Sequence, residues 1–183
     1  MQYAPTWSIN FMRNVYLIGM MGSGKTTSGR ALGRLMGLAF VDLDERIMER
    51  TGRSINDIFK SDGEPYFRKV EREALMQVAA KQDQVVATGG GVVLDPANSE
   101  CMRQTGLMIY LKTSADVLWD RVKHKKDRPL LGVRDPEKAL AGLCQTRMPY
   151  YESLADKTFL TDRKTPESVA LEIFKTCFAK AVQ

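Results

Sequence analysis

The chain has 183 residues, 27 Lys+Arg against 22 Asp+Glu for a formal net charge of +5, and 44% hydrophobic and 27% charged residues. That length fills one well-buried α/β domain with small insertions and excludes two full domains, and the composition is that of a soluble globular protein. No apolar run approaches the roughly 18 residues of a membrane span; Cys101, Cys144 and Cys177 are odd in number and far apart, which excludes a disulfide framework or zinc site and makes a reducing cytoplasm the expected compartment.

"MQYAPTWSINFM" (1–12) has no cationic start followed by an apolar stretch, so it is expected to be an irregular lead-in and not a signal peptide. "VYLIG" (15–19) is an apolar run ending in glycine, the pattern of a buried strand. "KTTSGRALGRLMG" predicts a helix with Ala31, Leu32, Leu35 and Met36 on one face and Gly37 as its stop. "LAFVDLD" (38–44) is expected to be the second strand, followed by a short helix ended by Gly52. Ser54 and Asp57 have capping-box spacing and open another short helix. "EPYFRKVEREALMQVAA" predicts a long one, with Pro65 in its first turn and Phe67, Val70, Ala74, Leu75 and Val78 at core spacing.

"QVVATGGG" (84–91) is a third strand running into three glycines, "LMIYL" (107–111) a fourth, and "SADVLWDRV" (114–122) the helix after it. "KHKKDRPLLGVR" (123–134) is dense in charge and has no periodicity. Asp135-Pro136 starts a helix to about Glu152, "KTFLTD" (157–162) is the fifth strand, and Thr165-Pro166 caps a closing helix. Strands alternating with helices predict a five-stranded parallel sheet sandwiched by helices, with ligands at the carboxyl ends of the strands.

Gly19, Gly22, Gly24, Lys25 and Thr26 fit G-x-x-x-x-G-K-[ST] between a strand and a helix. Glycines there let backbone N–H groups turn inward on phosphate oxygens. Lys25 is placed to reach the β- and γ-phosphates and Thr26 to hold Mg²⁺. The third strand ends in Thr88 and glycine instead of a Walker-B aspartate, which argues against a motor or switch NTPase. The basic residues are scattered, with one cluster at 123–128 and no stripe interleaved with aromatics, so anionic small ligands are expected and not nucleic acid.

Three features bear on the phosphoryl acceptor. In an extended strand Asp42 and Asp44 share one face, which suits metal and hydroxyl-proton work. Arg68, Arg128 and Arg147 offer forks for a carboxylate or phosphate. Gly89–Gly91 invites a close backbone approach.

With "GMMGSGKTT", "VDLDERI", "DGEPYFR", "TGGG", "RPLL" and "RMPYYESLAD" in this order, the chain resembles a shikimate kinase from about Arg13 to its C-terminus. Gluconate and nucleoside monophosphate kinases share the scaffold without that set and are the alternative. The resemblance implies a P-loop kinase with a substrate-binding flap (about 43–72) and a lid (123–134). It implies transfer of the ATP γ-phosphate to the 3-hydroxyl of shikimate with Mg²⁺. Gly22, Ser23, Gly24, Lys25, Thr26 and Thr27 then hold the nucleotide, with Arg121 and Arg163 flanking the adenine. Thr26 and Asp42 serve the metal. Asp44 binds the acceptor hydroxyls as candidate base, Phe67 packs on the ring, and Arg68 and Arg147 clamp the carboxylate. Gly90 and Gly91 offer N–H groups, and Lys25 and Arg128 act on the transferring phosphate. The family also lacks an acidic Walker-B residue. A monomer without membrane or nucleic-acid partners is expected.

Overall fold

A computed structural model of the protein describes residues 13–125 and 129–179. The lead-in 1–12 and Arg128 of the expected lid lie outside these residues. The strands are β1 (Asn14–Ile18), β2 (Ala39–Asp42), β3 (Gln84–Ala87), β4 (Gly106–Lys112) and β5 (Lys157–Leu160). The helices are α1 (Lys25–Met36), α2 (Leu43–Thr51), α3 (Ile55–Ala79), α4 (Pro96–Thr105), α5 (Ala115–Val122), α6 (Pro136–Leu154) and α7 (Pro166–Cys177).

The strands pair in parallel in the order β2-β3-β1-β4-β5, as one five-stranded sheet. β1 and β3 are buried along their whole length, which is why they read as unbroken apolar runs. Side chains alternate across β1. Val15 and Leu17 join the core under α1 and α7, with Leu32, Ile109 and Ile173. Tyr16 and Ile18 join the larger core under the remaining helices, with Ile47, Leu75, Val86 and Tyr151. Because all strands run the same way, the segments that follow them gather at one end of the sheet.

The expected second strand stops earlier than residue 44. Asp42 is extended (φ −98°, ψ 121°) and its carboxylate accepts from the Asp44 N–H at 3.0 Å, so it is the N-cap of α2, which begins at Leu43 with no intervening loop. Fully buried Leu43 plugs the helix onto the core. Asp44 and Glu45 occupy the first turn, where negative charge suits the helix dipole. Asp42 and Asp44 therefore do not share a strand face.

Ser54 caps α3, accepting from the Asp57 N–H at 3.1 Å. The two expected helices over 54–79 are there, separated at Gly63 (φ 79°, ψ 175°). Pro65 then opens the second stretch, where its missing N–H costs no helical bond. Helix α4 has no counterpart among the expected elements. It starts at an Asp95 cap with Pro96 behind it, and buries Asn98 and Ser99 beside Met102.

The Gly63 conformation belongs almost only to glycine and costs other residues about 1–3 kcal/mol. Gly63→Ala should destabilise the protein by that amount, read as a lower urea midpoint with an unchanged slope.

Candidate active site

Two adjoining cavities open at the carboxyl ends of the strands, of about 480 Å³ and about 310 Å³. Met21, Thr26, Asp42, Asp44, Gly89 and Gly90 line both and form the boundary between them.

The larger cavity is built around the loop after β1. Gly22 (φ 82°) and Gly24 (φ 92°) take the left-handed conformations that turn the loop back on itself ahead of α1. The Lys25 ammonium donates to the Gly19 and Met20 carbonyls, both at 2.8 Å, and so lies along its own loop. The Thr26 hydroxyl donates to Asp42 Oδ2 at 2.7 Å. The Thr27 hydroxyl donates to the Gly24 carbonyl at 3.1 Å, and buried Ser23 lines the floor. Arg121 spans the far side, donating to the Gly22 carbonyl and to the Thr161 carbonyl, each at 3.1 Å. Lys125 and Lys164 add positive charge there; neither was singled out in the sequence. Arg163 is not among the lining residues, although it adjoins Lys164 and holds a positive φ of 56°. Thr88 follows β3 directly, with its hydroxyl on the Leu17 carbonyl at 3.0 Å, in the position where a hydrolytic NTPase keeps its acid.

The donors around Thr26 suit Mg²⁺. A hydroxyl and a carboxylate 2.7 Å apart are hard oxygen ligands. Among the described residues no group of three or more His, Cys, Asp or Glu side chains forms a self-sufficient metal cage. Mg²⁺ binds in this way, through one or two protein oxygens together with phosphates and water.

The smaller cavity has a different chemistry. Ile55 and Phe59 from the first stretch of α3 face Phe67 from the second, with the Phe59 and Phe67 rings 4.8 Å apart. The Arg68 guanidinium lies 5.2 Å from the Phe67 ring and is bonded to Glu64 and Glu71, each at 2.7 Å. Arg147 on α6 is 3% exposed, and its Nε has no acceptor within the described protein. Pro129 and Leu130, from the charge-dense segment 123–134, complete the wall.

Glu71 is another residue not singled out in the sequence. It is fully buried, one helical turn after Arg68, and one of its two carboxylate oxygens, Oε1, has no donor within the described protein. Only the i,i+3 spacing from Arg68 could have signalled it. The three glycines face this charged group: a side chain on Gly89 would strike Glu71, one on Gly91 would strike the Arg68 guanidinium, and one on Gly90 would press on Arg147. "GGG" is thus a flat backbone wall against two arginines and a carboxylate. A buried donor on Arg147 and a buried acceptor on Glu71 fit a ligand that carries both an anionic group and hydroxyls.

A phosphate loop joined edge to edge with a separate anion-and-hydroxyl cavity defines a P-loop phosphotransferase acting on a small acceptor. The family model for shikimate kinase matches residues 21–178. A shikimate kinase of Thermodesulfovibrio yellowstonii is 43% identical over 90% of this chain and 94% of its own length. One of Legionella pneumophila (strain Corby) is 43% identical over 94% and 99%. Among solved structures, a shikimate kinase from Acinetobacter baumannii in complex with shikimate superposes with a TM-score of 0.90 at 36% identity, covering 94% of this chain and 96% of that one. A gluconokinase from Sinorhizobium meliloti 1021, at 19% identity and a TM-score of 0.53, shares the fold alone. The chain belongs to the shikimate kinase family.

Burial pushes the Glu71 carboxyl above the usual carboxylate range; Arg68 opposes the shift, Asp44 adds to it and Arg147 opposes it. A value higher in the folded than in the unfolded chain means stability that is fully present at acid pH and lost as pH rises through the folded value. Glu71→Gln removes this titration. Urea midpoints measured from about pH 4 to 8 should therefore show wild type losing ground to the variant as pH rises.

Proposed function

We propose that this protein transfers the γ-phosphate of ATP to the 3-hydroxyl of shikimate, giving shikimate 3-phosphate and ADP in the cytoplasm. The observation that carries this reading is the smaller cavity, where Arg147 Nε and Glu71 Oε1 are buried with no partner among the described residues, beside Arg68 and a glycine wall. A carboxylated polyol supplies the acceptor and the donors those atoms lack.

Position in the two cavities and the family resemblance support the following roles. Arg68 and Arg147 hold the carboxylate, Phe67 backs the ring, and the N–H groups of Gly90 and Gly91 meet ring substituents. Asp44, on the boundary between the cavities, orients the acceptor hydroxyl and takes its proton as the new P–O bond forms. Lys25 leaves its loop carbonyls for the β- and γ-phosphates and stabilises the charge that develops on the phosphoryl oxygens. Arg121 flanks the adenine. Thr26 and Asp42 would hold Mg²⁺, which when bound neutralises phosphate charge. Residues about 43–72 serve as the acceptor flap. Residues 123–134 serve as a lid bringing Arg128 over the transferring group and excluding water.

A coupled assay of ADP release with Mg·ATP tests the reading. Shikimate-dependent turnover is expected, and turnover that prefers gluconate or a nucleoside monophosphate would overturn it. A hydrogen bond between charged groups is worth about 1.5–3 kcal/mol. Arg147→Ala should therefore raise KM for shikimate about ten- to hundredfold. Lys25→Met should leave that KM nearly unchanged and lower kcat by about two orders of magnitude or more, which steady-state kinetics in both substrates will separate.

A further inference from the structure

The glycine wall has three carbonyls, and all three are held. Val92 N–H donates to the Gly89 carbonyl at 3.3 Å and Leu94 N–H to the Gly91 carbonyl at 3.1 Å, both within the short 3-10 turn that follows. Among the described residues the Gly90 carbonyl is reached by no backbone donor. It accepts instead from the Tyr151 hydroxyl at 2.5 Å. Glycine is the residue whose backbone is most free to reorient, so this peptide takes its direction from one side chain.

Tyr151 is well placed to give that direction. It is fully buried on α6, one turn beyond Arg147, with its ring stacked on Tyr110 of β4 at 5.1 Å. Its hydroxyl oxygen also lies 3.5 Å from the Met20 sulfur, in the phosphate loop whose Met20 carbonyl receives Lys25. One oxygen atom therefore joins the acceptor wall, the arginine-bearing helix and the nucleotide loop. Burial pushes the phenol above its ordinary value, and the Arg147 guanidinium beside it opposes the shift.

We propose that Tyr151 is a positioning residue for the acceptor: by holding the Gly90 carbonyl it sets the Gly90–Gly91 peptide, and with it the direction of the Gly91 N–H. In a planar trans peptide the C=O and N–H point in opposite directions, so a carbonyl drawn toward Tyr151 turns that N–H away from α6. Among the described residues neither the Gly90 nor the Gly91 N–H donates to the protein, and both residues line the smaller cavity. Without the hydroxyl the peptide can rotate, and the wall loses its fixed donor. The inference rests on the shikimate reading above.

Tyr151→Phe removes one oxygen and keeps the ring. In the full chain it should raise KM for shikimate about tenfold while KM for ATP stays within about twofold. A merely structural role would instead lower the melting temperature and the active fraction and leave both KM values alone. That pattern, or an equal rise in both, would overturn the inference. Wild-type turnover of shikimate in the same assay separates failure of the inference from failure of the reading beneath it. Should the variant not fold, wild-type protein labelled with 15N-glycine gives a second test. The Gly91 amide should be among the glycine signals that shift most when shikimate saturates the protein, and not when ADP does; a Gly91 amide that stays in place would overturn the inference.

Discussion

A carboxylate with no access to water, Glu71, sits between two arginines and three glycines, and the acceptor half of the molecule is arranged around it. An isolated charge at that depth would cost several kcal/mol. Arg68 offsets the cost by a direct bond, and Arg147 adds field from the neighbouring helix. The arginines in turn need space beside a backbone without side chains, which Gly89–Gly91 provides. Removing Arg68 would leave the buried Glu71 without its direct partner, so these two side chains are coupled. The group also explains why the flap must leave β2 so abruptly: α2 and α3 have to carry Asp44, Arg68 and Glu71 to the same end of the sheet as the phosphate loop.

The second constraint is Asp42. One oxygen caps α2 through the Asp44 N–H, and the other accepts from the Thr26 hydroxyl. A single carboxylate thus fixes where the flap begins relative to α1 and completes the oxygen donors near the nucleotide. Its neighbour Asp44 is brought to the boundary between the cavities by the first turn of a helix. The two acids do converge on the site, where both line the boundary between the cavities.

The sheet was legible because β1, β3 and β4 are apolar runs bounded by glycine or polar residues, and the phosphate loop because its spacing lies between a strand and a helix. Arg68, Arg147 and the three glycines were legible as residue types without their geometry. The start of α2 was not, since a helix that follows its strand with no loop leaves no turn residues to mark the change. Helix α4 was hidden because it buries Asn98 and Ser99 and carries a single large apolar side chain in the core, Met102. Glu71 and Tyr151 escaped for a related reason: burial of a charge or a hydroxyl depends on partners far along the chain, and no local pattern encodes it.

The proposed function turns on a carboxylate of the acceptor being read by the buried arginine of α6. Comparing kcat/KM for shikimate and its methyl ester, in wild type and in Arg147→Ala, measures that interaction directly. A penalty for the ester of about ten- to hundredfold in wild type, shrinking to a few-fold in the variant, is the predicted result. The same penalty in both proteins would contradict it.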